Sequence, residues 1–436
     1  MRKFFVRLLG ATLLGGFATS AQAQLTIEIT AGVDQAMPIA VVPLGWQGGL
    51  TRPPLDVAAV IAADLSNSGR FDAMDPGDML EKPFDQQGID FEDWRLLGLE
   101  AIVVGRLLPQ SDGNYVIQFE LFDLFKQRRL LGFRLPSTGA GLRAAAHRIS
   151  DLIYEKLTGI KGAFATRIAF ITVQGQGSAR RYRLVVADAD GANHNIIVES
   201  PEPLMSPAWA PDGDRIAYVS FESNKSAIYI QELSTGRRLR ASAREGVNGA
   251  PAFSPDGRKL ALTLSRDSGN LDIYVLNLAN QVLTRITRNP AIDTEATWNA
   301  DGSKIFFTSD RSGGPQIYSA DADGGNKRRV TYEGSYNGRS RLTPDGKEMA
   351  VVHNDQGAFR IARVNPENGN LLVLTDGQLD ESPSFSPNGE TIIYATRVNG
   401  RGILATVSID GRIQRRIAAQ EGDVREPAWS PYPVFK

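Results

Sequence analysis

Pro207-Ala208-Trp209-Ala210-Pro211-Asp212-Gly213 returns, little changed, as Pro251-Ala252-Phe253-Ser254-Pro255-Asp256-Gly257, and again as Ala296-Thr297-Trp298-Asn299-Ala300-Asp301-Gly302. Looser copies are Ser340-Arg341-Leu342-Thr343-Pro344-Asp345-Gly346 and Pro383-Ser384-Phe385-Ser386-Pro387-Asn388-Gly389, and a truncated one is Pro427-Ala428-Trp429-Ser430-Pro431. The apolar anchors fall at 209, 253, 298, 342, 385 and 429, a period of 43–45 residues. Self-similarity at a fixed period is the mark of a repeat architecture.

Each copy reads as one folding unit. Ser-Pro-Asp-Gly suits a type I turn, with Pro presetting φ and Gly relaxing the last position. An apolar, β-rich run follows, such as Arg215-Ile216-Ala217-Tyr218-Val219 or Leu260-Ala261-Leu262-Thr263-Leu264. Next comes an Ile-Tyr strand at 228–229, 273–274 and 317–318, and then a charged strand such as Arg328-Arg329-Val330-Thr331. Four short strands per repeat make a β-propeller blade. Ahead of the first anchor, 168–173, 182–186 and 195–198 read as three strands without a first one. The terminal 427–431 segment can supply it, which closes the ring and removes its open edges. The expectation is a six-bladed propeller over 162–436, closed by the C-terminal strand.

The chain ahead of the propeller has a different pattern. Arg2, Lys3 and Arg7, an apolar run from Leu8 to Ala18 and the triplet Ala21-Gln22-Ala23 have the order of a secretory signal peptide. Cleavage after Ala23 is expected. Residues 24–161 read as a small α/β domain. Its expected strands are Leu25–Ile29, 39–42, 101–104, 115–121 and 130–135, and its helices 55–65 and 142–157, with Gly159 as a stop. The fold class is therefore an α/β N-terminal domain followed by an all-β propeller.

Composition excludes several functions. The chain of 436 residues has no cysteine, so thiol catalysis, disulfides and Cys-ligated zinc are out. Lys and Arg number 48 against 49 Asp and Glu, too balanced for bulk capture of nucleic acid. The three histidines share no motif and read as ordinary surface or packed residues. There is no G-x-S-x-G elbow and no phosphate-binding loop. Gly45-Trp46-Gln47-Gly48-Gly49 reads as a turn. The basic clusters at 237–238, 327–329 and 415–416 fall on outermost strands, where charge guards a sheet edge.

Functional interest falls on the residues just before each anchor, which ring the channel mouth: Val247, Asn248, Gly249, Ala250, Asp293, Thr294, Glu295, Arg339, Asp380, Glu381, Arg425 and Glu426. Acids at 293, 295, 380, 381 and 426 predict a mouth negative on one side. The segment Gln24-Leu25-Thr26-Ile27-Glu28-Ile29 begins at the cleavage site, so its outer end is free to add to another protein's sheet.

The Pro-Ala-Phe-Ser-Pro-Asp-Gly repeats, Pro38-Ile39-Ala40-Val41-Val42-Pro43, Tyr332-Glu333-Gly334-Ser335 and the ending Pro427-Ala428-Trp429-Ser430-Pro431-Tyr432 together resemble the TolB family of the Tol-Pal envelope system. The resemblance covers essentially 24–436; Leu342, where other copies have an aromatic, is a departure. It implies a periplasmic, non-enzymatic and cofactor-free adaptor that supports outer-membrane integrity and constriction during cell division. It also implies two partners. The lipoprotein Pal is expected on Val247, Asn248, Gly249, Ala250, Thr294, Glu295, Asp380, Glu381, Arg425 and Glu426. The C-terminal domain of TolA is expected on Gln24, Leu25, Thr26, Ile27, Glu28 and Ile29. A monomer with no nucleic-acid partner and no membrane insertion is expected. The rival reading is a periplasmic propeller hydrolase using the mouth carboxylates as acid and base.

Overall fold

The computed structural model describes residues 36–49, 52–265, 269–417 and 422–433. The signal segment and the strand expected at Leu25–Ile29 lie outside them.

The first described unit is a mixed sheet backed by helices. Strands β1 (Met37–Val41), β2 (Gly45–Trp46), β3 (Phe71–Ala73), β4 (Ala101–Pro109), β5 (Tyr115–Asp123) and β6 (Arg128–Ser137) take the order β3-β1-β4-β5-β6, with β2 paired to β4. Gly45 and Trp46 thus extend the sheet where the sequence suggested only a turn. Two helices cover one face, α1 (Val57–Asn67) and α3 (Leu142–Thr158), burying Ile61, Leu65, Ile149 and Ile153 against Val103, Phe119 and Leu121. Asp56 caps α1 by accepting from the Ala59 amide, and Gly159 ends α3 at φ 75°, a left-handed stop that favours glycine. The short helix α2 (Phe91–Leu96) belongs to a second small core around Trp94 on the other face.

Six four-stranded antiparallel sheets follow. Blades 1 to 5 run 204–242, 248–285, 293–329, 336–373 and 381–416. Blade 6 joins the terminal strand Asp423–Trp429 to Arg167–Gln174, Arg181–Asp188 and Asn195–Ser200. The first strands touch their neighbours all the way round and so line the axis. The repeat's turn works as its chemistry dictates: the Gly257 amide donates to the Ser254 carbonyl at 2.8 Å, and Gly346 to Thr343 at 2.8 Å. The anchors stitch blades together. Trp209 Nε1 donates to the Ala428 carbonyl at 3.0 Å and Trp298 Nε1 to the Ala252 carbonyl at 3.1 Å.

The α/β unit sits on the propeller face that carries the first-to-second and third-to-fourth strand turns of blades 5 and 6. Arg70 pairs with Glu390 at 2.8 Å, and Asn388 donates to the Lys161 carbonyl at 3.0 Å. Arg415 donates to the Ser66 carbonyl at 2.8 Å and to Asn67 at 3.3 Å. Arg415 of that basic pair therefore joins the α/β domain to the propeller, a role the edge-guarding reading missed. Arg238 fits that reading better: it lies on an outermost strand, paired with Glu222 and stacked 3.6 Å over the Tyr229 ring.

Candidate functional site

Because strand connections alternate between faces, the loops entering each first strand open on the face opposite the α/β unit. One structural device recurs there in every blade. Pairing between first and second strands slips by a bulge, and the residue in the slip has a positive φ: Ser206, Ala250, Glu295, Arg339, Ser382 and Glu426, all between 45° and 58°. None is glycine, so each stores roughly 1–3 kcal/mol of backbone strain. A bulge re-aims a strand's side chains. Here it turns four of the six side chains, those of Glu295, Arg339, Ser382 and Glu426, onto one another across the axis.

Arg339 is the hub. Its Nε donates to Glu295 Oε1 at 2.7 Å, it hydrogen-bonds Ser382 Oγ, and its Nη2 lies 4.0 Å from Glu426 Oε1. Its own amide donates to Glu295 Oε2 at 3.2 Å and to Thr308 Oγ1 at 3.1 Å. Glu426 is also fixed by the Ser206 amide at 2.5 Å. Burial pulls the Arg339 guanidinium towards deprotonation, but Glu295 and Glu426 more than reverse that, so its pKa stands above the ordinary value. Arg341, beside it, is shifted the other way: burial dominates and the Arg339 charge adds to it. The mouth expected to be negative is therefore charge-balanced where it narrows, two carboxylates facing two guanidiniums. The space among Ser206, Pro207, Arg339, Arg341, Ser382 and Glu426 is about 270 Å³, solvent included.

The expected mouth residues sort into three groups. Asn248, 0% exposed, and Asp380, 1% exposed, cannot touch a partner. Asn248 accepts from Ser242 Oγ and the Arg244 amide, and Asp380 accepts from Thr375 Oγ1 at 2.6 Å. Asp293 is likewise buried, held by both 2.8 Å contacts from Arg311. These three are corrections: Asp293 ties its first strand to its own blade, whereas Asn248 and Asp380 tie theirs to the blade before. Glu295 and Glu426 belong to the hub, with Thr294 next to it and 3.3 Å from Thr263 Oγ1. Val247, Gly249, Ala250, Glu381 and Arg425 remain at the surface or partly so. Glu381 and Arg425 share a shallow groove between blades 5 and 6 with Leu379 and Arg397.

Sequence reasoning named Val247 but missed the other exposed apolar residues near the entries to the first strands. Val247 is 45% exposed, Ile292 47% and Tyr332 64%, and Met205 is also open. Val247 and Ile292 hold the same register, six residues before their anchors, so the repeat itself carried the signal.

The TolB beta propeller domain model matches residues 154–433, and the TolB amino-terminal domain model matches 25–130. The chain belongs to the TolB family. It is 48% identical over 426 residues to the Tol-Pal system protein TolB of Xanthomonas euvesicatoria pv. vesicatoria, covering 97% of each chain. Identity to the Xanthomonas oryzae pv. oryzae (strain PXO99A) relative is also 48%, with 95% of each covered. The crystal structure of TolB from Acinetobacter baumannii superposes with a TM-score of 0.84 at 41% identity, covering 92% of this chain and 98% of that one. Among the described residues, no helix is long and apolar enough to cross a membrane.

Proposed function

We propose that this chain is a periplasmic adaptor of a Tol-Pal system, binding Pal at the propeller mouth and TolA through the segment that starts at Gln24. The observation that carries the reading is the pair of exposed apolar side chains Val247 and Ile292, at one register in the loops that enter blades 2 and 3, on the face where the charge-balanced constriction opens. Exposed apolar groups rimmed by polar ones mark protein-binding surfaces. Relatives named as Tol-Pal system proteins align over nearly the full length. The role in outer-membrane integrity and division follows from that system. The hydrolase reading has less support: Glu295 and Glu426 are committed to Arg339 and to backbone amides, whereas a catalytic acid needs a carboxyl free to give its proton.

The test is calorimetric titration of residues 24–436 against the soluble domain of Pal and, separately, the C-terminal domain of TolA. Saturable one-to-one Pal binding is expected, weakened about 100-fold or more by Ala250→Trp or Thr294→Trp, each of which puts an indole over the constriction. Removing 24–33 is expected to abolish TolA binding and to leave the Pal site in place. No Pal binding at about 50 µM, a range reached even by weak specific complexes, overturns the proposal.

A further inference from the structure

The seam between α3 and blade 6 holds a side-chain cluster that the mouth does not use. His147, on α3, is 2% exposed. Its Nδ1 lies 2.7 Å from Asp64 Oδ2 of α1, and that oxygen also accepts from Ser150 Oγ at 2.7 Å. An ionised carboxylate only accepts, so Nδ1 carries the proton and the lone pair of the neutral ring is on Nε2. Nε2 is buried without a hydrogen-bond partner. It faces two carboxylates on the turn that follows Arg181–Asp188: Asp190 Oδ2 at 3.7 Å and Asp188 Oδ2 at 3.9 Å.

Those two distances are too long for N–H···O bonds, which run to about 3.2 Å. They match the spacing between ligands of one ion. Metal–ligand bonds of about 2.0–2.2 Å put neighbouring ligand atoms about 3.3 Å apart at a tetrahedral angle and nearer 4 Å at wider ones. The charge fits as well. Three carboxylates, Asp64, Asp188 and Asp190, stand with one fixed cation, Arg143, which hydrogen-bonds Asp190 and holds its Nε 3.7 Å from Asp188, while Asp64 bonds His147. A dication brings the group to neutrality, and each carboxylate oxygen keeps a lone pair beyond its present bond.

We propose that the Asp64–His147–Asp190 cluster binds a divalent transition-metal ion of the zinc class through His147 Nε2 and Asp190, with Asp64 as the outer carboxylate that orients the imidazole and Asp188 beside the site. The carboxylate–histidine–metal arrangement is the usual support for such a ligand. An ion here ties α3 to the propeller and makes the junction between the two units metal-dependent.

The experiment is a titration of chelator-stripped 24–436 with Zn2+ by calorimetry and with Co2+ by visible absorption. Expected are one saturable site, a Co2+ band displaced by Zn2+ but not by excess Ca2+, and a raised melting temperature. Asp190→Asn, which keeps the Asp64–His147 bond, and His147→Gln should each weaken binding tenfold or more. His194→Gln, at an exposed histidine, should leave binding unchanged. If His147→Gln does not fold, Asp190→Asn decides. No Zn2+ binding at about 100 µM, or equal binding by the parent and Asp190→Asn, overturns the proposal.

Discussion

Arg339→Met is expected to destabilise the propeller by about 2–4 kcal/mol. The variant leaves Glu295 and Glu426 on the channel axis without the guanidinium that lies 2.7 Å from one and 4.0 Å from the other. Removing one member of a buried ion pair costs about 3–5 kcal/mol, mostly through the charge left behind. The estimate here is lower because Arg339, Glu295 and Glu426 keep 28%, 20% and 14% of their side-chain surface in water. One control separates charge from packing. Arg339→Met combined with Glu295→Gln should recover most of the loss, since Glu426 and Arg341 then balance each other. Urea melts of the parent, the single and the double variant read the effect. A full deficit persisting in the double variant would mean that Arg339 acts through its stem rather than its charge.

The hub was only half visible in the sequence. The anchors announced six blades, and the residues three before them, at 206, 250, 295, 339, 382 and 426, are the ones the structure places in left-handed slips. The period singled out these positions, but nothing in Ser, Ala, Glu or Arg signals positive φ, which propensity assigns to glycine or asparagine. The sequence reading therefore named mouth residues as a set. It could not separate position −3, which faces the axis, from position −5, which faces the sheet. At −5 the chain has Asn248, Asp293, Asn337 and Asp380, polar residues that look solvent-exposed, yet all four are buried, Asp293 bonded within its own blade and the other three to the blade before. The His147 cluster was hidden for another reason. Its members at 64, 143, 147, 188 and 190 come from α1, α3 and a propeller turn, and no local motif joins them.

Ending the chain at residue 421 is expected to abolish cooperative folding of the propeller. The lost strand Asp423–Trp429 is the first strand of blade 6 and pairs with Arg167–Gln174, more than 230 residues earlier in the chain. Its removal uncovers the edge of a strand whose Ile168, Ala169 and Phe170 are 0% exposed. It also takes away the Ala428 carbonyl that holds Trp209 Nε1, the Trp429 Nε1 bond to Thr166 Oγ1 at 2.8 Å, and the Glu426 carboxylate on the Ser206 amide. Each contact is worth about 1 kcal/mol net, and each polar group left unmatched costs a further 1–3. A domain's whole stability is about 5–15 kcal/mol, so this loss is of the same order. The open edge then becomes a template for pairing with other chains. The truncated chain should lose its sharp melting transition and aggregate, while Trp429→Ala, which keeps the strand, should still melt cooperatively at about 2–4 kcal/mol lower stability. A peptide spanning 422–436, added during refolding, should restore the transition, because blade 6 needs the strand and not its covalent link. A truncated chain that melts cooperatively without the peptide would show that the ring is held by its five complete blades rather than by its closure.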